Sequence, residues 1–390
     1  MYQLIEVITP KQKKEFLLLP VKIYKNEKNW IRPLDKDVEV IFDTAKNKSF
    51  RNGECIRWIL TDDSNHTVGR VAAFVDYTSS LKNDQPTGGM GFFECLKNPD
   101  AAFMLFDACK TWLHVRGMEA MDGPVNFGDR DKWWGLLVEG TSEPNYCMPY
   151  NHLYYKNFFE TYGFRNYFNQ YTYHRLVSHE GLVPEISEKA RRIAMNPRYR
   201  ICHLEKKYGE KYADDFLEIY NKGWEKFTGV KPITKQHAKA LFKSMKPILD
   251  ERLMWFAYYD NQPVAFFIMI PEINQIVKHL HGNFGFLNKL RFLYLKRKKA
   301  CTKILGLIFG IVPQHQGKGL EGALVMSFAD IAWAPGFQYK ELELNWIGDF
   351  NPSMMRVAEQ IGAKIIKTHI TYRYLFDSTK EFKRAPKVNK

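Results

Sequence analysis

At 390 residues the chain is long for one domain and comfortable for two. Its 45% hydrophobic and 26% charged content excludes extended disorder and low-complexity architectures. The formal net charge of +14 is the one unusual bulk property. It points to an anionic partner (nucleic acid, anionic lipid or a phosphate-rich cofactor), against the plainer reading of a merely basic surface.

The amino terminus, MYQLIEVITPKQKK, lacks the apolar core of a signal peptide, so a cytoplasmic location is expected. LIEVI reads as a strand and PKQKKEFLLLPVKIY as a helix. Residues 54–76 read as a hairpin with β-rich arms around Asp62–Asn65. NPDAAFMLFDACKTWLHVRG reads as a helix with Asn98 as its cap and Gly117 as its stop. GPVNFGDRDKWWGLLVEG, residues 123–140, has turn chemistry at Gly123-Pro124 and Gly128-Asp129 and two tryptophans, Trp133 and Trp134. It either walls a site between two halves or forms the packing seam between them. The element order then repeats: RYRICHL as a strand, EKYADDFLEIYNKGW as a helix, and LMWFAYYDNQPVAFFIMI as a hairpin turning at Asp260–Asn261. The closing segments GFRNYFNQYTYHRL and GAKIIKTHITYRYL start at Gly163 and Gly362, an offset of 199. Along that offset Gly163/Gly362, Thr172/Thr371, Tyr173/Tyr372 and Leu176/Leu375 coincide. The expected organisation is two related α/β units, 1–177 and 198–390, joined by residues 178–197. Six cysteines (Cys55, Cys95, Cys109, Cys147, Cys202, Cys301) show no CxxC or Cys/His ligand spacing, so no metal site is expected.

The chemical signal lies in GLIFGIVPQHQGKGLEGALVMSFADIA, residues 306–332. The apolar run Ile304–Val312 is far too short for a membrane span, which needs about 20 residues. A glycine turn between a strand and a helix binds phosphate because glycine lets the backbone approach and the first helical N–H groups are unpaired. A dinucleotide fingerprint puts its first glycine directly off the strand, whereas Pro313–Gln316 intervene here. A P-loop needs Gly-Lys-Ser/Thr, and Gly319 instead follows Lys318. Kinase catalytic and metal-binding motifs are missing.

What fits is Gln314-x-x-Gly317-x-Gly319, straight after LIFGIVP. This resembles the acyl-CoA pyrophosphate loop of the GNAT (Gcn5-related N-acetyltransferase) superfamily. ELELNWIGDFNPSMMRVAEQIGAKII looks like the strand and helix that follow that loop, the helix starting at Asn351 and closing on Gly362. The doubled order resembles the tandem GNAT proteins. FFECLKNPD, at the corresponding place in the first half, has no glycine pair, so one CoA site is expected, in the second half. NWIRPL, GPVNFGDRDKWWGLLVEG, MPYNHLYY, NFGFLNKLRFL and LNWIGDFN together resemble a long bacterial GNAT-like family, some members of which are regarded as ceramide synthases. The resemblance implies a tandem GNAT fold of two mixed-sheet domains and an acyl-CoA or acetyl-CoA donor, with an acyl carrier protein as the alternative. By the same resemblance Ile311, Val312, Gln314, Gln316, Gly317, Lys318, Gly319 and Asn351 hold the cofactor. Gly322 is expected as a close helix–strand packing position.

Aminolysis of a thioester needs a proton acceptor for the amine, a donor to the carbonyl oxygen and a proton for the leaving thiolate. In GNAT enzymes a helix tyrosine often protonates the thiolate, but Ala358 stands at that position. Tyr372, or Tyr150, Tyr154 or Tyr155 of the first half, could serve instead. For the base, strand alternation puts Glu341, Glu343 and Asn345 on one face, reading either as a lined cleft or as an exposed sheet face. Asp349 and His281 complete the candidates.

Between the third and fourth strands of the second half, residues 284–303 carry seven Lys/Arg and no acid, interleaved with aromatic and leucine residues. That composition suits an element lying on an anionic membrane surface, with a basic wall around CoA phosphates or a nucleic-acid patch as alternatives. The reading is an N-acyltransferase acting on a small-molecule or lipid amine, with a long-chain base as the lipid case. It would be cytoplasmic and peripheral on the inner face of the membrane. The competing readings are an acetyltransferase on a soluble amine or peptide, and a non-catalytic thioester- or lipid-binding module; nucleic-acid binding ranks last.

Overall fold

A computed structural model describes residues 1–80, 85–128, 130, 132–224 and 232–387. The first half contributes β1 (Gln3–Glu6), β2 (Gly53–Thr61), β3 (Thr67–Asp76), β4 (Thr87–Cys95), β5 (Ala120–Gly123), β6 (Leu136–Glu139) and β7 (Arg165–Leu176). The second contributes β8 (Tyr199–His203), β9 (Met254–Tyr259), β10 (Gln262–Pro271), β11 (Lys303–Ile311), β12 (Glu341–Gly348) and β13 (Lys364–Leu375). Both expected hairpins form, and Asn65, Asp260 and Asn261 take positive φ in their turns. Helix Pro10–Ile23 starts at a capping box, with Thr9 and Gln12 bonding each other's backbone N–H. Helix Pro99–His114 is capped by Asn98, which accepts from Ala101 N at 3.0 Å.

The two halves do not build separate sheets. Strand order is β1-β2-β3-β4-β5-β13-β7-β12-β11-β10-β9-β8, with β6 pairing β13 off the path. The closing strands are thus exchanged: β13 pairs β5 of the first half, and β7 pairs β12 of the second. They pair antiparallel with each other from Lys364↔His174 to Arg373↔Arg165. The repeated sequence therefore becomes a pair of adjacent, pseudo-symmetric strands. Gly163 and Gly362 recur for a physical reason, since both follow a helix with φ of +112° and +76°.

Residues 178–197 do more than connect. They form a helix, Pro184–Ala194, whose Ile186 and Ile193 are buried in the core of the second half. It packs against helix Leu320–Ala332 so closely that a Cβ on Gly322 would sit 2.9 Å from the Ile186 carbonyl oxygen. Gly322 is therefore a helix–helix contact, not the helix–strand contact expected. Asp129 of the expected Gly128-Asp129 turn lies outside the described residues.

Candidate functional site: a strand divergence and a charged seam

β11 and β12 run parallel and share rungs from Lys303↔Glu341 to Gly306↔Leu344, and none beyond. β11 stays paired with β10 as far as Ile311, with an irregularity that leaves Leu307 as the extra residue. The two parallel strands therefore part at Leu307, which is 41% exposed although it sits mid-strand. The edge of β11 turned toward β12 shares no rung with it along Leu307–Gly310, a stretch of backbone that can bond a linear chain carrying amides.

The gap opens onto the glycine turn. Val312 is buried and donates to Val264 O at 2.9 Å, Pro313–His315 make a 3-10 turn, and Gln316 Nε2 caps Ile311 O at 3.0 Å. Gln314, Gln316, Gly317 and Lys318 are exposed. Gly317 has φ +70°, and a Cβ built there would meet nothing within 4 Å. Gly319, φ +98°, starts helix Leu320–Ala332 and lies under Lys189 of the joining helix. Arg192 of that helix donates to Lys318 O at 3.1 Å, and Lys189 Nζ lies 3.9 Å from Glu321. The open cradle at Gly317, the free helical N–H groups and three neighbouring cations suit a diphosphate. Asn351, at the far end of β12, caps helix Pro352–Gln360 through Met354 N.

The corresponding place in the first half is closed. β4 and β5 share rungs only at Thr87–Gly89, but the chain after β5 stays against β4, with Val125 N donating to Met90 O at 2.8 Å. Phe92, Val125, Phe127 and Trp133 fill the space as one apolar cluster.

Beside the open divergence lies a buried charged cluster at the seam between the halves. Glu343 is 1% exposed and ion-paired to Lys303 Nζ at 2.5 Å and Lys367 Nζ at 3.2 Å. Asn145 of the first half bonds both Glu343 (2.7 Å) and Asn345 (2.9 Å), and Thr172 of β7 also donates to Asn345, at 3.1 Å. Burial opposes ionisation of Glu343, but Lys367 and Lys303 hold its carboxyl below the ordinary range. Glu272, at the end of β10, behaves differently. Burial pushes it up to about 7, although Asn274 and Tyr146 N–H groups donate to it. A bulge sets Trp346 at φ +69°, its ring 6.0 Å from that of Trp134, and neither indole N–H has a hydrogen-bond partner.

The row Glu341, Glu343 and Asn345 is thus neither an open cleft nor an exposed face. Glu341 pairs with His174 at 2.9 Å, and Glu343 and Asn345 are locked into the seam. Asp349 is tied to Arg384 at 2.6 Å. Tyr372 is not brought here: it is buried in the first half's core and donates to Glu160 at 3.0 Å. His281 sits in an exposed turn at φ +48°. Lys303, counted by sequence with the basic surface segment, belongs to the buried seam instead. Glu272, Lys367 and Asn145 were missed, because a lone charge or amide carries no local signal of burial. A cavity of about 360 Å³ lies elsewhere, lined by Arg252, Pro271, Phe292, Lys296, Cys301 and Tyr339 among others. Among the described residues no cluster of His, Cys, Asp or Glu could hold a metal ion, and no helix is long and apolar enough to cross a membrane.

No family model matches the chain. It is 26% identical to the bacterial ceramide synthase of Caulobacter vibrioides (strain NA1000 / CB15N), over 94% of this chain and 96% of that protein. Among solved structures it is similar to a tandem GNAT protein from the clavulanic acid biosynthesis pathway, with TM-score 0.55, 8% identity, and 97% and 100% of the two chains covered. It is also similar to a GCN5-related glucosamine N-acetyltransferase region of a fungal multi-domain GH3 beta-N-acetylglucosaminidase, with TM-score 0.56 and 10% identity. That match covers 96% of this chain and 38% of the other. The fold is the tandem GNAT fold, with the closing strands of its halves exchanged.

Proposed function

We propose that the protein is an N-acyltransferase that moves a fatty acyl group from a CoA thioester to the amine of a lipid, a long-chain base. The observation that carries this reading is the parting of β11 and β12 at Leu307, opening directly onto the uncovered Gly317 turn. Gly317 and the first N–H groups of helix Leu320–Ala332 would hold the diphosphate, with Lys318 and Arg192 adding charge. The free edge of β11 would bond the pantetheine amides, and a backbone N–H at the Leu307 bulge would face the carbonyl oxygen as charge develops there. The amine lone pair attacks the carbonyl carbon, the carbon–sulfur bond breaks, and the amine gives up a proton. Glu343, held ionised between two lysines, is a poor acceptor for that proton. Glu272 is the seam carboxyl whose affinity for a proton suits neutral pH. The ceramide synthase likeness along nearly the whole chain supports a lipid amine as acceptor.

A lipid acceptor is met at a membrane, and helix Phe286–Arg297 is shaped for one. Phe286, Leu287, Leu290, Leu293 and Tyr294 fall within an arc of about 120° at 3.6 residues per turn. That arc points to solvent, with Phe286 and Leu287 at 74% and 78% exposure, while Phe292 faces the core. Lys289 and Lys296 flank it on one side, Arg291 and Lys298 on the other. An apolar stripe turned outward between cations fits the acyl boundary of an anionic bilayer. Flotation with anionic but not neutral vesicles, weakened by salt, is the expected result; binding to RNA alone would remove the membrane from the reading.

The activity test incubates purified protein with palmitoyl-CoA or acetyl-CoA and sphinganine, following thiol release and the N-acylated product by mass spectrometry. Palmitoyl transfer with little acetyl transfer is expected. Acetylation of soluble amines alone would replace the acceptor, and CoA binding without turnover would leave a non-catalytic module.

A further inference from the structure

The duplicated halves each set one buried tyrosine against an exposed helix glutamate, and only one of the two couples is closed. Tyr372 and Glu160 belong to the first half's end of the sheet, and the hydroxyl donates to the carboxylate at 3.0 Å. The offset of 199 that relates the halves maps this couple onto Tyr173 and Glu359. Tyr173 is 1% exposed, yet its hydroxyl has no hydrogen-bond partner. Glu359 is near enough to be felt electrostatically, but it does not accept the bond that its counterpart accepts. A buried hydroxyl left without an acceptor is costly, and natural folds rarely keep one without a use.

Along the sheet, the broken couple lies in register with the open divergence and the closed couple with the filled one. Tyr372 stands across from Gly123, where the chain after β5 keeps to β4. Tyr173 stands across from Leu344, which is itself paired with Gly306. Tyr173, Leu344 and Gly306 therefore form the last rung common to β7, β12 and β11 before the strands part. Neighbouring strands lie about 4.8 Å apart, so the ring of Tyr173 starts two strands, about 10 Å, from the mouth of the gap. Helix Pro352–Gln360 packs alongside and offers the buried Ala358 next to Glu359, with no hydroxyl of its own at that point.

On the acyltransferase reading, we infer that Tyr173, carried into the second half on the exchanged strand β7, donates its hydroxyl proton to the departing thioester sulfur. The carbon–sulfur bond breaks with its electron pair going to sulfur. The Tyr173 O–H proton passes to that thiolate, and the proton that the amine gives up to Glu272 balances the one that restores the phenol. No other reactant is needed. Burial holds the phenol up to about 12, so it stays protonated through the neutral range and is available as a donor. Because β7 comes from the first half, that half supplies part of the reacting centre although its own gap is closed.

The test compares Tyr173→Phe with the parent, and with Glu160→Ala as the variant that opens the satisfied couple. Tyr173→Phe loses no hydrogen bond, so its thermal midpoint should equal or exceed the parent's, whereas that of Glu160→Ala should fall. With palmitoyl-CoA the expected result for Tyr173→Phe is a kcat about 30-fold lower or more at unchanged KM. The deficit should shrink to within threefold when the donor is a palmitoyl thioester of an acidic aryl thiol, whose thiolate leaves unaided. Undiminished kcat in Tyr173→Phe overturns the proposal and leaves the transferase reading standing, as does a deficit of equal size with both donors. If the parent turns over no thioester, binding decides: CoA held several-fold more tightly than desulfo-CoA by the parent, with the preference lost in Tyr173→Phe, supports the contact. Equal binding of both ligands by both proteins overturns it.

Discussion

Replacing Gly317 by Asp and by Asn separates charge from shape at the glycine turn. Both side chains must adopt φ +70° there, which costs an L-residue about 1–2 kcal/mol and least for Asn and Asp. No atom lies within 4 Å of the added Cβ, so neither variant collides with its surroundings. The pair therefore shares its strain and differs only in one negative charge. A carboxylate about 4 Å from a phosphate is repelled by about 4 kcal/mol at an effective dielectric of 20. The turn is exposed, and solvent screening brings this to roughly 2 kcal/mol, or about thirtyfold in affinity. Calorimetric titration with CoA at 50 and 300 mM salt should show Gly317→Asp binding about thirtyfold more weakly than Gly317→Asn, with the gap narrowing at the higher salt. Thermal melts of the two should agree within a few degrees. Equal CoA affinities in two folded variants would refute the assignment of the diphosphate to this turn.

Lys367→Met removes one of two cations around a carboxylate that is 1% exposed, and stripping a partner from a buried pair costs about 3–5 kcal/mol. Urea unfolding should show that loss; a change under about 1 kcal/mol would mean that the seam is hydrated or loosely held. Glu272 binds its proton near pH 7 when folded and near about 4.3 when unfolded, so folding takes up a proton between these values. The stability it contributes is fully present below the unfolded value and is lost, by roughly 4 kcal/mol in all, as pH rises through the folded one. Glu272→Gln should therefore gain on the parent between pH 5 and pH 8 in paired denaturation curves, and a pH-independent difference would sink the assignment.

Much of the element order could be read from the sequence because the signals are local. The cap at Asn98, turns at Asp62–Asn65 and Asp260–Asn261, and the apolar run before Pro313 each act within a few residues. The exchange of β7 and β13 is not local. Either closing strand satisfies the same alternation beside its own half or the other, and the choice is made by pairing between residues almost 200 positions apart. The charged seam was hidden for a related reason. Lys303 looks like one more cation of a basic segment until the register Lys303↔Glu341 sets it next to Glu343. Glu272 and Lys367 are single charges in apolar or mixed strands, and only the joining of the two halves removes them from water. The glycine turn was legible because positive φ at Gly317 and Gly319 demands glycine itself, whereas Trp346 reaches φ +69° through a bulge that no residue type announces.

Duplication, strand exchange and the closing of one gap are linked by their effect on the site. Had each half kept its own closing strand, β12 would have been flanked by β13, and Thr172 and Tyr173 would have been carried to the first half's gap, which Val125 occupies. The exchange instead brings them to the gap that stays open, while Asn145 and Tyr146 of the first half close over Glu343 and Glu272. The first half has an apolar cluster around Phe92, Phe127 and Trp133 beside β4 and β5, and its burial anchors the loop that carries Trp134 to Trp346. The filling of one gap and the assembly of the other thus rest on the same packing. A substitution that loosens the first half's cluster should therefore be felt at the second half's site, through the displacement of Trp134 and Asn145.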